Sequence, residues 1–240
     1  MNQAPATSLF EAIRQGDEKR VMQALADSPD LVWAADKYRK TALHVAAEHD
    51  QDRMAKILLD SGADLEAETS WGMTPLQWAA NMGSVKTGAL LIARGARLNM
   101  WSAAGLGMLE ALPAFWDGSG RLKPGAAQQR YDEVEKDRFV KRPPSSDDVS
   151  AVSDGFYIAC RNGHTDVARY LLGRGADPHF QGFFGGTALH WAAINGHSDT
   201  VDYLLSLGAR ADFPDPTFNS TPAGWAREGG HHDLASRLEA

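Results

Sequence analysis

The side chains in this 240-residue chain best equipped for chemistry are its eight histidines and its one cysteine. His190 and His197 lie seven residues apart, and His231 and His232 are adjacent. No cysteine or carboxylate stands where it would complete a tetrahedral zinc set, and no metal site is assigned. Cys160 follows an alanine, has no partner for a disulfide and no Ser, His or Asp motif around it, so it reads as a small buried apolar residue rather than a nucleophile. GxSxG, Walker, HExxH and GxGxxG signatures are all absent, and the carboxylates are scattered along polar stretches. No catalytic residue and no cofactor is expected.

The elements that must hold these residues repeat. TALHVAAEHDQDRMAKILLDSGADLEA from Thr41, TPLQWAANMGSVKTGALLIARGARLNM from Thr74 and TALHWAAINGHSDTVDYLLSLGARADF from Thr187 share one pattern. A copy from Asp154 has an altered opening, a copy from Ser220 closes the chain, and a copy from Ser8 keeps only the helical periodicity. Thr41, Thr74, Thr187 and Thr221 stand at helix N-caps, with Pro75 and Pro222 in the first turn, where a missing N–H is harmless. Leu43, Leu76 and Leu189 point inward, and the alanine pairs Ala46/Ala47, Ala79/Ala80 and Ala192/Ala193 let neighbouring helices approach closely. Glycine then breaks the first helix. The pairs Ile57/Leu58, Leu90/Leu91, Tyr170/Leu171 and Tyr203/Leu204 give the second helix its inner face, and Gly62, Gly95, Gly175 and Gly208 end it.

The junctions between helices fall at Gly16, Asp50, Gly83, Gly107, Gly163, Gly196 and Gly230, most of them 33 or 34 residues apart. This resembles the ankyrin repeat, with its period near 33, its TPLHxA opening, its GH turn and its leucine pair. The resemblance covers all of the chain except residues 1–7 and about 117–148. It implies an all-α solenoid of stacked helix-turn-helix units with hairpin-like finger loops. His44 and His190 would brace fingers by hydrogen bonds, and His164, His197 and His231 would sit in GH turns. One domain, 1–240, is expected: a capping repeat at 1–35, repeats two to four at 36–116, an insertion at 117–148, repeats five and six at 149–212, and a second cap at 213–240.

The pattern fails in one region. Gly107 comes only 24 residues after Gly83, so the fourth unit has lost its finger, and the next step is 56. In the segment between, Ala126 to Lys141 offers i,i+4 charge pairs at Asp132–Lys136 and Asp137–Lys141, which predict a marginal helix ended by Pro143 and Pro144. Ser145 is the expected N-cap of a long helix carrying Val149, Val152, Phe156 and Ala159. Seven acidic and seven basic residues between Asp117 and Ser150 exclude a nucleic-acid arm.

The resemblance implies binding at the fingers and along the concave groove of the first helices. The fingers carry Tyr38, Trp71 with Met73, Phe183 and Phe184, and Phe218, expected as rings about 10 Å apart that either anchor a partner or brace their own hairpins. On the helices, the positions before each glycine add His49, Met82, Leu106, Arg161, Asn162, Ile194 and Asn195, with Met82, Leu106 and Ile194 read as apolar side chains outside the core. Trp78, Trp191 and Trp225 are expected to pack between repeats. The missing fourth finger should divide the groove into an N-terminal and a C-terminal patch.

Composition narrows the partner. A net charge of -7 disfavours nucleic acid, and no apolar run reaches the length of about 20 residues that spans a bilayer. MNQAPATSLFEAIRQGD has the pattern of neither a signal nor a transit peptide, so a cytoplasmic monomer is expected. Sixteen arginines against eight lysines suggest a GC-rich bacterial genome. The function expected is a non-catalytic module binding an unidentified protein or peptide. The alternatives are a small enzyme with its chemistry in the 117–148 insertion, and an effector acting on host proteins.

Overall fold

The computed structural model describes residues 3–127, 131–135, 138–141, 148–182 and 185–239, which divide into two compact units. The first unit, residues 1–98 with 129–144, contains α1 (Gln3–Arg14), α2 (Glu18–Asp27), a 3-10 turn (Pro29–Trp33), α3 (Ala42–Glu48), α4 (Asp52–Asp60), α5 (Pro75–Met82) and α6 (Val85–Ala93). α3 packs between α1 and α5, and α4 between α2 and α6. The second unit contains α7 (Met100–Gly105), a 3-10 helix (Leu109–Phe115), α8 (Asp148–Arg161), α9 (Thr165–Leu172), α10 (Ala188–Ile194), α11 (Ser198–Ser206), α12 (Pro222–Glu228) and α13 (His232–Glu239). Here α8 lies between α7 and α10, and α10 between α8 and α12. The architecture is all-α, built of helix pairs, as the repeat predicts.

The caps form as the threonines require. Thr74 Oγ1 accepts from the Gln77 N–H at 3.3 Å while Gln77 Oε1 accepts from the Thr74 N–H at 2.9 Å, and Thr41/His44 and Thr187/His190 form the same reciprocal box. In α7 the cap is instead Asn99, whose Oδ1 accepts from the Ser102 N–H at 2.7 Å. α7 thus starts at Met100, directly after its Asn99 cap, with no finger before it. Leu43, Leu76 and the alanine pairs are solvent-free, and so are Leu58, Leu91, Leu171 and Leu204, the second member of each apolar pair.

All seven junction residues have positive φ, including Asp50 at +49°. The junction glycines also serve their neighbours. A Cβ added at Gly163, where φ is +79°, would lie 2.6 Å from His197 Nδ1, so the glycine both turns the chain and admits the ring from the following pair. Gly163→Ala should therefore lower the unfolding free energy by roughly 1–3 kcal/mol, read as a shift of the urea midpoint at constant m-value.

Residues 117–148 depart from expectation in two ways. They open with a finger: Trp116 bridges Leu122 as Ala35 bridges Thr41 and Gln181 bridges Thr187. Asp117 Oδ1 accepts from the N–H groups of Ser119 and Arg121, just as Asp36 Oδ1 accepts from those of Tyr38 and Lys40. The irregular segment thus begins after this finger, whose end is held where the Met100 N–H donates to Ala126 O at 2.9 Å.

The second departure is a correction of the helix expected over Ala126–Lys141. An antiparallel pair, β1 (Tyr131–Glu135) and β2 (Arg138–Lys141), stands there, with Asp132 opposite Val140, Glu133 opposite Phe139 and Glu135 opposite Arg138. Tyr131, Val134, Phe139 and Val140 favour extended backbone, whereas each i,i+4 charge pair offers a helix only about 0.2–0.5 kcal/mol. α8 is long, as predicted, and buries Val152, Phe156 and Ala159, but Val149 in its first turn is half exposed. Ser145, its expected cap, and Pro143 and Pro144 lie outside the described residues.

Candidate interaction surface

In the first unit the finger containing Tyr38 is set by the carboxylate of Asp36, and the next finger leans on it through the Ser70 N–H, which donates to Tyr38 O at 2.8 Å. The rings follow their backbones. Tyr38 and Trp71 have centroids 4.9 Å apart and tilted by 33°, and Trp71 continues to Trp78 at 6.0 Å. Lys37 Nζ lies over Tyr38 at 4.3 Å, and Lys40 Nζ lies 5.5 Å from the Trp78 ring while pairing with Glu48. The expected spacing of about 10 Å is thereby corrected: tilted side chains bridge the gap between finger backbones, and the rings form one stack.

Beneath that stack His44 is buried. The Thr41 N–H donates to its Nδ1 at 3.2 Å, so the ring proton sits on Nε2 and is donated to Met73 O at 2.9 Å. His190 repeats the arrangement in the second unit, with Nδ1 accepting from Thr187 and Nε2 donating to Ser220 O at 3.1 Å. Burial pushes the His44 imidazole down to about 4 and holds His190, His164 and His197 below their usual value.

In the second unit the last finger is organised by Asp215. Its Oδ1 accepts from the N–H groups of Thr217 and Phe218, and its Oδ2 from the Ser220 N–H and, at 2.9 Å, from the indole of Trp225. Burial works against this carboxylate's charge, but the four N–H donors outweigh it and hold its pKa below the ordinary value. The finger so fixed presents Phe218 with 61% of its surface exposed, 6.1 Å from Trp225. Trp191 meets Trp225 edge-on at 5.0 Å, with the Arg161 guanidinium 4.4 Å over its ring. A hollow of about 470 Å³ opens among Trp191, Ile194, Phe218, Ser220, Gly224, Trp225 and Glu228.

The remaining candidates divide by burial. His49, Met82 and Asn195 are exposed, and Arg161, Asn162 and Ile194 are half-buried. Asn162 Nδ2 donates to Gly105 O at 2.7 Å and Asn195 Nδ2 to Arg161 O at 3.0 Å, so these amides tie successive first helices together. Met73 and Leu106 require correction. They are 6% and 5% exposed, Met73 because its carbonyl is drawn onto His44 and Leu106 because it closes α7 within the packed unit. Neither side chain offers a partner appreciable surface. Phe183 and Phe184 lie outside the described residues.

Trp191 and Trp225 do pack between repeats, as expected, and together with Glu228, one of the positions before a junction glycine, they also line the hollow. The available signal was the recurrence of tryptophan immediately before alanine in three units, on the turn that faces the fingers. Among the described residues, no group of three or more His, Cys, Asp or Glu is placed to hold a metal ion, and no helix is long and apolar enough to cross a membrane.

Comparisons place this arrangement among known proteins. A homologue of transient receptor potential cation channel subfamily A member 1 from Caenorhabditis elegans is 32% identical over 176 residues, covering 72% of this chain and 13% of that protein. The Homo sapiens protein of that name is 26% identical, covering 72% of this chain and 15% of its own length. The chain thus spans a small fraction of the curated relatives it matches. The human ASB11 ankyrin repeat domain aligns with 97% of both chains at a TM-score of 0.46 and 21% identity. The family model for ankyrin repeats in three copies matches residues 9–102 and 156–238, about three quarters of the sequence. The stacked helix pairs, threonine-capped first helices and hairpin fingers are that family's parts, and this chain belongs to the ankyrin-repeat family.

Proposed function

We propose that the chain is a non-catalytic interaction module, acting as a cytoplasmic monomer, that binds a protein or peptide through its finger tips and the finger-facing side of its first helices. The observation that carries this reading is Phe218: a large ring, mostly exposed, held by a buried carboxylate at the lip of an aromatic-floored hollow. Exposed aromatics on a rigid support lose little conformational freedom on binding and are the side chains most enriched among binding hot spots. The Tyr38–Trp71 stack gives the first unit a comparable tip. The family supports the class of function, since ankyrin repeats generally mediate protein–protein interaction. The buried thiol of Cys160, its pKa raised by burial, is compatible with a reducing compartment.

The test begins with affinity capture of a partner from the source lysate. Trp71→Ala and Phe218→Ala should then each weaken its binding by about 2 kcal/mol, roughly thirtyfold, measured by calorimetry. Phe218→Ala should barely move the thermal midpoint. Trp71 touches two other rings, so its truncation should cost some stability as well. Variants that melt early yet bind the partner normally would make both rings structural braces and overturn the proposal.

A further inference from the structure

We infer that the hollow between α10 and α12 takes the cationic side chain of a lysine or arginine from the bound protein, an assignment that rests on the interaction reading above. Trp225 forms its floor, 6% exposed, and the rings of Trp191 and Phe218 stand at 79° and 66° to it. The hollow is thus lined by three aromatic rings in one cluster, and aromatic surface of this kind attracts a cation. Gly224 and Ser220 keep that volume open, and Ile194 gives an aliphatic stem something to lie against.

Charge favours the same occupant. Glu228 is the charged residue in the lining. Behind the floor, the ionised Asp215 accepts the Trp225 indole proton at 2.9 Å, a bond that pushes electron density onto the indole ring and deepens its attraction for a cation. One cation opposes them, Arg161, which already occupies a face of Trp191. His190, 5.2 Å from Trp225, is neutral with its Nε2 proton committed to Ser220 O, so it adds no positive charge. Two carboxylates against one guanidinium leave the hollow negative, in a chain of net charge -7. An anion would meet the Glu228 carboxylate in the lining, and an uncharged apolar group would cover that carboxylate for no return.

The probe is Nα-acetyl-lysine N-methylamide, compared with the neutral analogue carrying a methyl group in place of the ammonium. Each is titrated into the 15N-labelled full chain while the indole N–H resonances of Trp191 and Trp225 are followed. The lysine probe should shift both resonances saturably at millimolar concentration, with the neutral analogue at least tenfold weaker. Glu228→Gln, an exposed change in the last turn of α12, should weaken the lysine probe at least threefold and leave the neutral analogue unchanged. Phe218→Ala should weaken the lysine probe too. Equal affinity for the two probes, indifference to Glu228→Gln, or unmoved indoles would each overturn the inference. If a captured partner is lost on Phe218→Ala while the indoles ignore the lysine probe, the cation pocket fails and the interaction reading stands. Lysine-probe binding beside a partner insensitive to the ring variants would show the reverse.

Discussion

Leu43→Ala, Leu91→Ala and Leu204→Ala should each lower the unfolding free energy by about 2–5 kcal/mol, the range for buried leucines that leave a cavity. Each of these side chains has no exposed surface: Leu43 sits on α3 in the first unit, Leu91 on α6 and Leu204 on α11. The cost should be large because helix pairs of this kind cannot bury their own apolar stripe. Each leucine belongs to such a stripe, so its truncation weakens packing between helix pairs as well as within its own. Exposed Leu205, one residue beyond Leu204, is the internal control, and Leu205→Ala should change stability by less than about 0.5 kcal/mol. Urea titration followed by far-UV circular dichroism reads all four. Losses below about 1 kcal/mol at the three buried positions would contradict the packing described.

Much of this was legible in the sequence because the repeat reports its own register. Once Thr41, Thr74 and Thr187 are aligned, the inward leucines, the alanine pairs and the junctions follow, and even Asp50 adopts the left-handed conformation of the glycines it replaces. The missing finger before α7 was legible from spacing alone. Where the repeat stops, so does the information. Residues 126–141 carry both helix-stabilising charge pairs and strand-favouring aromatic and β-branched residues, and local propensity alone does not rank the two.

The candidate surface was legible as positions but not as contacts. The third finger position named Tyr38, Trp71 and Phe218, whereas ring separations depend on side-chain tilt, which spacing does not encode. Leu106 was misread because the position before a junction glycine is free of core duty in most units, and α7 is short enough for its final turn to be enclosed. Trp225 packs between repeats as expected, while its hydrogen bond to Asp215, ten residues away across the finger, was not legible from spacing.

Acidification should destabilise the chain through His44, with most of the loss falling between pH 6.5 and about 4. Its imidazole is buried and neutral in the folded state, where burial pushes its pKa down to about 4; Lys40 adds to that, and the Met73 carbonyl, Asp36 and Asp64 oppose it. In the unfolded chain the ring titrates near 6.5. Above pH 6.5 neither state binds the proton and the full stability is present. As the pH falls, the unfolded state takes up the proton first, and stability drains until the folded ring also protonates. A displacement from 6.5 to about 4 corresponds to about 3 kcal/mol at this site. His190, lowered for the same reason, should add to the loss. The chain supplies the control in α5, where Gln77 closes the same capping box with Thr74 by a group that does not titrate, in the unit whose following finger is missing. His44→Gln should keep the cap, lose the bond to Met73 O at a cost of about 1 kcal/mol at pH 7.5, and remove most of this site's share of the acid loss. Urea midpoints of both proteins at pH 7.5 and 4.5 give the double difference. If His44→Gln and the parent lose equal stability on acidification, His44 is not buried as the neutral brace described here.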